Sequence, residues 1–465
     1  METSRPEEYD EKSWGGSVPA LSRNLVKVKG LSVIRKIFFM GFTVFVRLLT
    51  NVALFVFMAR YWNVSEFGEF IYIYTAATIA CLIVDFGFTQ SILRDIGVNK
   101  NQERQILADV IKAKLVLSFV LLLVSALTVM YLKLHMYQVV LFFIVLASCV
   151  MTSFSESMNA VYRGINKYHY ESAITLISNC VYFSVLMTIL IMGGEAKSVA
   201  LGMLFCKAVQ LALSCTIYKF INYQQMIRGS LKKTISDIRR NTAFGIDAFL
   251  TNFVTSIDTL IVGYLLGHNA VGIYQAGMRL LQGANTGAQV LSNVYLPSLS
   301  RHNADDDKLK ALIVRLYFKM QLLGGLGAVL FIYGSAPMTS IVYGEKYVEL
   351  VGLLPLIGVL LMQRYLAAAH GIVLSSLGHQ SYRAFYNVLS MLVFLALSVL
   401  VVPYLGIKGI VVSLLVSILV LHMLYIYRLI SSNVPLGLSK QNIVLTIGFY
   451  MLIAIFFIND FGGIG

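Results

Sequence analysis

The sequence predicts an all-α polytopic membrane protein in which two parallel six-helix repeats surround a central cavity, with an additional C-terminal hydrophobic segment. Three observations predict this fold class. The 465 residues are 58% hydrophobic and only 13% charged, with a mean hydropathy of +0.76. Apolar runs long enough to span a bilayer recur along the whole chain, without the alternation typical of a β-barrel. Short motifs also recur in the same order in both halves, which indicates an internal duplication.

The apolar runs define the predicted membrane helices and, from them, the domains. We predict helices at residues 32–57, 67–92, 109–131, 138–161, 171–192, 197–220, 242–266, 271–296, 312–333, 350–374, 384–402, 407–429 and 442–458. The predicted domains are a cytoplasmic tail (1–31), an N-lobe (32–220), a cytoplasmic linker (221–241), a C-lobe (242–429) and the additional segment (430–465). Each lobe therefore contains six of the predicted helices.

Basic residues are distributed unevenly between alternate connections. The N-terminal tail and every second connection after it, counted with the adjoining ends of the predicted helices, hold 28 Lys and Arg residues, whereas the other connections hold five. Cytoplasmic loops of membrane proteins carry such an excess, so the N-terminus is predicted to be cytoplasmic. The net charge of +14 then reflects membrane topology, and we expect no nucleic-acid partner.

Three short motifs repeat between the two halves. The matched positions are Tyr61, Gly68 and Phe70 with Tyr264, Gly272 and Tyr274, then Gly164 with Gly378, then Lys197 with Lys408. Because each unit holds an even number of helices, both units begin on the same side of the membrane. The repeats are thus parallel, related by an axis along the membrane normal, and two such lobes leave a cavity between them.

Charged residues inside the predicted helices are the candidate functional residues. The bases near the middle of a segment are Arg47, Lys207, Arg279 and Arg364, and the acids are Asp85, Glu156, Asp247 and Asp258. A charge at the bilayer centre costs roughly 2.5–3.5 kcal/mol even on lenient scales, so each must pair or face water. Ion pairs that lock helices together remain an alternative for any single residue. Only Asp258 is as deep as the four bases, which predicts a net-positive cavity and an anionic cargo.

Asp258 and Arg279 lie on opposite sides of a turn predicted at Gly267-His268-Asn269. Their similar distances from this turn predict that they lie side by side and that Arg279 contacts both Asp258 and the cargo. Asp258 is also the best-placed carboxylate to bind a coupling proton or Na⁺. Asp247 and Glu156 are alternatives, and coupling to an ion gradient could be absent.

Other chemistries find no support. The histidines show no metal-ligand spacing, and the chain lacks a Gly-rich nucleotide loop and a nucleophile elbow. We therefore expect no cofactor and no metal, and a transporter rather than an enzyme. Some tyrosines could stack on sugar rings in a cavity, although many belong to the interfacial belts of a membrane protein.

The motifs resemble those of a known family. "ARYWNVSEFGEF" (59–70) resembles the ARY-x-G-x-x-x-FG-x-Y signature of Wzx-type O-antigen and polysaccharide flippases. "LIVDFGFTQSILRDIG" (82–97) resembles the end of their second helix, and "DTLIVGYLLGHNAVGIYQAGMRLLQ" resembles their seventh and eighth helices. The resemblance covers about residues 32–430. The family belongs to the multidrug/oligosaccharidyl-lipid/polysaccharide (MOP) exporter superfamily, which includes MurJ and the MATE transporters.

The resemblance implies a flippase in a bacterial inner membrane. Its cargo would be an undecaprenyl-pyrophosphate-linked oligosaccharide, moved from the cytoplasmic to the periplasmic leaflet for O-antigen, capsule or exopolysaccharide synthesis. It implies a MOP/MATE-like fold, function as a monomer, and polymerase and chain-length proteins as pathway partners. Arg279 fits the place of an arginine in the eighth helix of MurJ-like proteins, and Arg47 fits a first-helix arginine only approximately. The thirteenth segment departs from the twelve or fourteen helices common in this family.

Three alternatives stay open. A membrane-embedded polysaccharide polymerase would need a larger external loop than the predicted connection at Gly334–Glu349. A MATE-like exporter of cationic drugs would need an acidic cavity. A scaffold with an inactive transport core is made less attractive by the cost of the deep charges.

Overall fold

The computed structural model describes residues 46–98, 102–132, 135–217, 231–301, 307–437 and 439–462, and no β-strand occurs among these residues. The tail predicted at 1–31 lies outside them, as do residues 32–45 of the first predicted helix and most of the predicted linker. Eight of the described helices or helix pairs are long and apolar enough to cross a membrane, by length and composition. The predicted all-helical membrane architecture is confirmed, whereas the two-lobe division stays a prediction.

The first half of the chain forms seven described helices. They are α1 (residues 46–61), α2 (Val64–Asp85), α3 (Phe88–Val98), α4 (Glu103–Leu132), α5 (Met136–Gly164), α6 (Tyr168–Ile191) and α7 (Ala196–Ile217). The segment predicted as one helix at 67–92 is two helices. Phe86 and Gly87 both have positive φ, of 36° and 65°, and this left-handed turn separates α2 from α3. Glycine adopts such angles without steric cost, so the DFG motif places the break.

The second half forms nine described α-helices and one 3-10 helix, Glu345–Tyr347. The α-helices are α8 (Leu231–Arg240), α9 (Thr242–Val254), α10 (Ile257–Leu299), α11 (Asp307–Tyr333), α12 (Ser335–Val342), α13 (Val348–Val351), α14 (Leu354–Ser376), α15 (Gln380–Ser431) and α16 (Lys440–Gly462). Two of them, α10 and α15, reverse direction at a glycine with positive φ, Gly267 (81°) and Gly406 (55°). Each is therefore a helical hairpin, and both hairpins coincide with a predicted pair of segments. The break between α9 and α10, at Thr255-Ser256, was not predicted.

Two glycines bring α2 and α10 into close contact. A Cβ atom at Gly68 would lie 1.8 Å from the carbonyl oxygen of His268, and a Cβ atom at Gly272 would lie 2.3 Å from that of Val64. Only residues without side chains permit this approach of two helix backbones. We call this contact the glycine face. It is formed by the two glycines that the repeated motif matches, and the predicted topology places it on the periplasmic side.

A second contact joins the same halves at the opposite end of α2. The side-chain amide of Asn241 donates to the carbonyl oxygen of Phe86 at 2.8 Å, and the Arg240 guanidinium lies 3.0 Å from the Asp95 carboxylate. A Cβ atom at Gly87 would meet the carbonyl oxygen of Phe244 at 2.4 Å. We call this contact the linker face. The predicted topology places it in the cytoplasm.

The additional C-terminal helix, α16, packs on α11. The ring of Phe449 covers Gly325, where a Cβ atom would lie 2.3 Å from the ring. The buried side chain of Gln321 donates to the Asn442 carbonyl oxygen at 2.9 Å and also contacts the Thr446 hydroxyl. The polar contacts between α16 and α11 thus lie in the first two turns of α16. The aromatic contact, at Phe449, lies two turns after Asn442.

Candidate functional site

The Arg279 side chain reaches from α10 to a ring on α1. Its guanidinium carbon lies 3.8 Å from the centroid of the Phe55 ring, and its Nη1 donates to Gln282 at 3.0 Å. The Nε donor is buried and has no hydrogen-bond partner among the described residues. An unpaired buried donor is costly, so Arg279 has a binding capacity that this conformation leaves unused.

An aromatic cluster extends from Arg279 towards Lys207. The Phe55 ring packs edge-on against Tyr74, with the centroids 5.7 Å apart, and Tyr74 and Tyr182 belong to the same hydrophobic cluster. The ammonium group of Lys207 lies 4.8 Å from the Tyr182 ring centroid. We call Arg279, Phe55, Tyr74, Tyr182 and Lys207 the cation–aromatic row. Its two cations lie at the ends of three rings and on different halves of the chain.

The Asp258 carboxylate is buried and satisfied by neutral donors. It accepts from the Tyr274 hydroxyl at 2.6 Å and from the Thr259 backbone N–H at 2.7 Å. The Gln275 amide donates to the Thr259 hydroxyl and extends this network. The Arg364 guanidinium on α14 interacts electrostatically with Asp258. The two groups do not form an ion pair, and Arg364 has no other carboxylate within ion-pair distance among the described residues.

The predicted side-by-side pairing of Asp258 with Arg279 is wrong. The contact partner of Asp258 is Tyr274, five residues before Arg279. The reason is register. The α10 hairpin turns at Gly267, one residue before the middle of the predicted turn, and its two arms bring Tyr274 and Gln275 opposite Asp258 and Thr259. Five residues of helix correspond to about 7 Å, which moves Arg279 past Asp258 along the hairpin.

The first-half charges form an ionic chain. Arg47 lies 3.1 Å from one oxygen of Glu156, Arg163 lies 3.7 Å from the other, and Arg163 also lies 3.6 Å from Glu171. Lys207 interacts electrostatically with Glu156, but its own hydrogen bond, at 3.3 Å, is to Gln210. The alternative interpretation, in which a charge forms an ion pair between helices instead of facing a cavity, thus holds for Arg47 and Glu156. It leaves Lys207, Arg279 and Arg364 without a carboxylate within ion-pair distance in the described part of the chain.

Sequence reasoning missed one buried cation, Lys114. Its side chain is 0% exposed, lies 3.4 Å from the Asp85 carboxylate, and donates to the carbonyl and hydroxyl oxygens of Ser153 at 2.7 Å. The Ser153 hydroxyl also donates to Asp85. The count of basic residues assigned Lys114 to a cytoplasmic connection although it lies inside the segment predicted at 109–131. Its position inside a predicted membrane helix could have identified Lys114 as a buried cation.

We expect Asp85→Ala to destabilise the protein far more than Lys114→Met. Removing Asp85 leaves the charge of Lys114 buried without a carboxylate, and breaking such a pair typically costs about 3–5 kcal/mol. Removing Lys114 leaves only the half-exposed Asp85, which water can solvate. Thermal unfolding in detergent should rank the two variants in that order, and the double variant Asp85→Ala/Lys114→Met should recover most of the loss. The opposite ranking would contradict this assignment.

Two further predicted features have no counterpart in these contacts. The side chain of Asp247 lies outside the described part of the structure. A polar pocket of about 200 Å³ lies at the linker face, between α3, α4 and α8, and its lining includes Asp95, Asp109 and Asn241. None of the four predicted cavity cations lines it. The central cavity therefore stays a prediction, as do the roles of the predicted site residues.

The fold is similar to that of solved membrane transporters of the MOP superfamily. The chain matches a structure of the lipid II flippase MurJ in an inward closed conformation with a TM-score of 0.65 and 14% identity, covering 91% of this chain and 99% of that one. It matches an inward-facing multidrug MATE transporter with a TM-score of 0.64 and 15% identity, covering 82% and 94%. A MOP transporter of Pyrococcus furiosus, described as having a binding pocket of reversed polarity, matches with a TM-score of 0.56 and 15% identity, covering 88% and 96%.

The sequence profile of one family, described as polysaccharide biosynthesis protein, matches residues 57–352. This chain belongs to that family. No curated protein sequence matches it significantly. The profile thus confirms the predicted polysaccharide biosynthesis family, and the solved structures confirm the predicted MOP/MATE-like fold.

Proposed function

We propose that this protein flips a polyprenyl-pyrophosphate-linked oligosaccharide from the cytoplasmic to the periplasmic leaflet of a bacterial inner membrane. The observation that carries the proposal is Arg279, whose buried Nε donor meets no hydrogen-bond partner in the described part of the chain and whose guanidinium lies against the Phe55 ring. A planar guanidinium with free donors binds phosphate oxygens in pairs. The pyrophosphate of the cargo supplies such oxygens.

The cation–aromatic row suits both parts of the cargo head group. Arg279 and Lys207 would bind anionic groups at its two ends, and Arg364, like Arg279, interacts electrostatically with Asp258. The rings of Phe55, Tyr74 and Tyr182 offer apolar faces on which sugar rings stack. The lipid tail would remain in the bilayer while the head group crosses between the lobes.

Alternating access would use the two contacts between the halves of the chain. The glycine face and the linker face lie at opposite ends of α2, so rocking one lobe against the other opens one contact while the other stays closed. Arg279 bridges the halves through Phe55, so a phosphate that replaces Phe55 would loosen the lobes. Cargo binding and lobe movement are then linked.

Coupling of transport to a proton or Na⁺ gradient is part of the proposal. Of the four candidate carboxylates, Asp85 and Glu156 face cations, Asp258 faces neutral donors, and the side chain of Asp247 is not described. Asp258 is therefore the candidate whose charge an added cation would neutralise most directly. We expect Asp258→Asn to remove any dependence of flipping on an imposed pH or Na⁺ gradient, as measured in proteoliposomes. Gradient dependence unchanged in this variant would exclude Asp258.

The test of the proposed function is flipping of a fluorescent polyprenyl-pyrophosphate-linked oligosaccharide in proteoliposomes that contain the purified protein. We expect protein-dependent movement between leaflets, which polyprenyl pyrophosphate inhibits and uncharged polyprenol does not. The polyprenol arm controls for recognition of the lipid tail alone. Transport of a cationic drug instead of the lipid-linked sugar would favour a MATE-like exporter and refute the proposal.

A further inference from the structure

Two arginines lie at the open end of the α15 hairpin, where its first arm begins and its second arm ends. Arg383 is the fourth residue of α15, and Arg428 lies in its last turn. The guanidinium carbon of Arg428 lies 3.8 Å from the centroid of the Tyr382 ring, and Nε2 of His379 lies 3.4 Å from the Ser432 hydroxyl oxygen. The two arms therefore lie side by side at this end. We call Arg383, Arg428 and Tyr382 the hairpin-end cluster.

Neither guanidinium of this cluster is paired with a carboxylate among the described residues. Nη1 of Arg383 donates to the Ser375 hydroxyl at 2.8 Å, and the buried Nε of Arg428 meets no hydrogen-bond partner there. The local sequence contributes to this, since no Asp or Glu occurs between Glu349 and Asp460. That stretch holds five basic residues, which are Arg364, Arg383, Lys408, Arg428 and Lys440. The positive charge at the hairpin end is therefore available to an anion from outside the chain.

The cluster lies at the boundary of the predicted membrane spans. The spans predicted at 384–402 and 407–429 begin and end within one residue of Arg383 and Arg428, and the predicted topology places this end of the hairpin in the cytoplasm. The apolar core of a bilayer is about 30 Å thick and is flanked by the polar head groups. The two guanidinium groups are therefore placed at the depth of the lipid phosphates of the cytoplasmic leaflet.

An exposed apolar stripe runs from the cluster along the first arm of α15. Tyr382, Phe385, Leu392 and Val399 are all exposed, and their spacings of three and seven residues place them on one face of the helix. Leu392 lies ten residues from Tyr382, which corresponds to about 15 Å of helix. This length matches half of a hydrocarbon core about 30 Å thick, the depth that the acyl chains of one leaflet reach.

We propose that the hairpin-end cluster binds the phosphate of an anionic phospholipid of the cytoplasmic leaflet. A guanidinium binds phosphate oxygens in pairs, and stacking on Tyr382 orients Arg428 before the lipid binds. Basic sites between helices on the cytoplasmic side of a membrane recognise anionic head groups in this way. The apolar stripe favours a lipid over a soluble phosphate, because it continues the site into the bilayer. This site is separate from the cation–aromatic row, and its existence does not depend on the proposed function.

The first test is a titration of the purified protein in detergent with phosphatidylglycerol, followed by native mass spectrometry. We expect the double variant Arg383→Gln/Arg428→Gln to bind this lipid roughly tenfold more weakly than the wild type, or weaker still. The control Lys167→Gln/Arg239→Gln removes two exposed cations from the same predicted side of the membrane and should bind as the wild type does. Arg383→Gln alone removes only an exposed side chain, so it should weaken binding several-fold even if the double variant unfolds. Equal binding in all variants, or an equal loss in the control, would overturn the proposal.

The second test distinguishes the sources of the phosphate. We expect neither inorganic phosphate nor zwitterionic phosphatidylethanolamine to displace phosphatidylglycerol, and displacement by either would overturn the assignment to an anionic lipid. Polyprenyl pyrophosphate should bind the double variant as it binds the wild type and should bind Arg279→Ala weakly. A loss of polyprenyl pyrophosphate binding in the double variant would assign the cluster to the cargo instead. If the wild type flips no lipid-linked oligosaccharide, the proposed function fails, and the titration with phosphatidylglycerol still decides whether the lipid site exists.

Discussion

Replacing Arg279 with alanine is expected to abolish most flipping while leaving the protein folded in the membrane. A charge-assisted hydrogen bond contributes about 1.5–3 kcal/mol, so its loss should weaken binding of the pyrophosphate roughly 10- to 100-fold. The fold should persist because Asp258 accepts from Tyr274 and Thr259 and loses no ion pair when Arg279 is removed. Flipping in proteoliposomes and thermal unfolding of the same preparation measure the two effects separately.

Two further variants separate charge from geometry at this position. Arg279→Lys retains a cation but loses the planar fork and the stacking on Phe55, so it should recover only part of the activity. Arg239→Ala removes an exposed arginine from α8 and should leave flipping unchanged. An equal loss of flipping in Arg239→Ala and Arg279→Ala would show that Arg279 contributes only to the general positive charge of the protein.

Alanine at either glycine of the glycine face is expected to prevent this contact from closing. The added Cβ atom would lie 1.8 Å from the carbonyl oxygen of His268 in Gly68→Ala, or 2.3 Å from that of Val64 in Gly272→Ala. Overpacking of this kind typically costs about 1–3 kcal/mol, and here it penalises only the closed arrangement. The population closed at this face should therefore fall roughly 5- to 100-fold, and flipping with it.

Gly283→Ala is the matched control, because it lies in the same helix as Gly272 and a Cβ atom there meets nothing within 4 Å. Hydrogen exchange followed by mass spectrometry should show faster exchange around Val64 and His268 in Gly68→Ala and Gly272→Ala, but not in Gly283→Ala. In an ordinary helix position, glycine to alanine is stabilising. Slow exchange and full activity in all three variants would show that the glycine face is not a gate.

Much of the fold was predictable because bilayer-spanning helices need long apolar runs, and these runs are visible in the sequence. The hairpin at Gly267 and the correspondence of Gly68 with Gly272 could also be found, since glycine marks both a turn and a close approach. The break at Phe86-Gly87 could not. It lies inside the segment predicted as one helix at 67–92, and the hydrophobic pattern there gives no indication of a change in direction.

The candidate site was predictable in composition and only partly in geometry. The deep arginines and Lys207 stood out because charge is rare in such segments. Which acid faces which base depends on helix register, and a shift of five residues replaced Arg279 with Tyr274 as the partner of Asp258. Phe55, Tyr74 and Tyr182 were not distinguishable from other aromatic residues, since nothing in their local sequence shows that they lie next to a cation.

The two contacts between the halves of the chain differ in chemistry, and ionic strength should therefore act on only one of them. The glycine face is held by backbone packing, which salt does not screen. The linker face includes the exposed pair of Arg240 and Asp95, and such pairs contribute about 0–1 kcal/mol that falls as the Debye length shrinks to about 3 Å in 1 M salt. Concentrated salt should shift molecules towards opening at the linker face, by up to about fivefold. Rates measured in buffers of different ionic strength would then start from different populations of the same transporter.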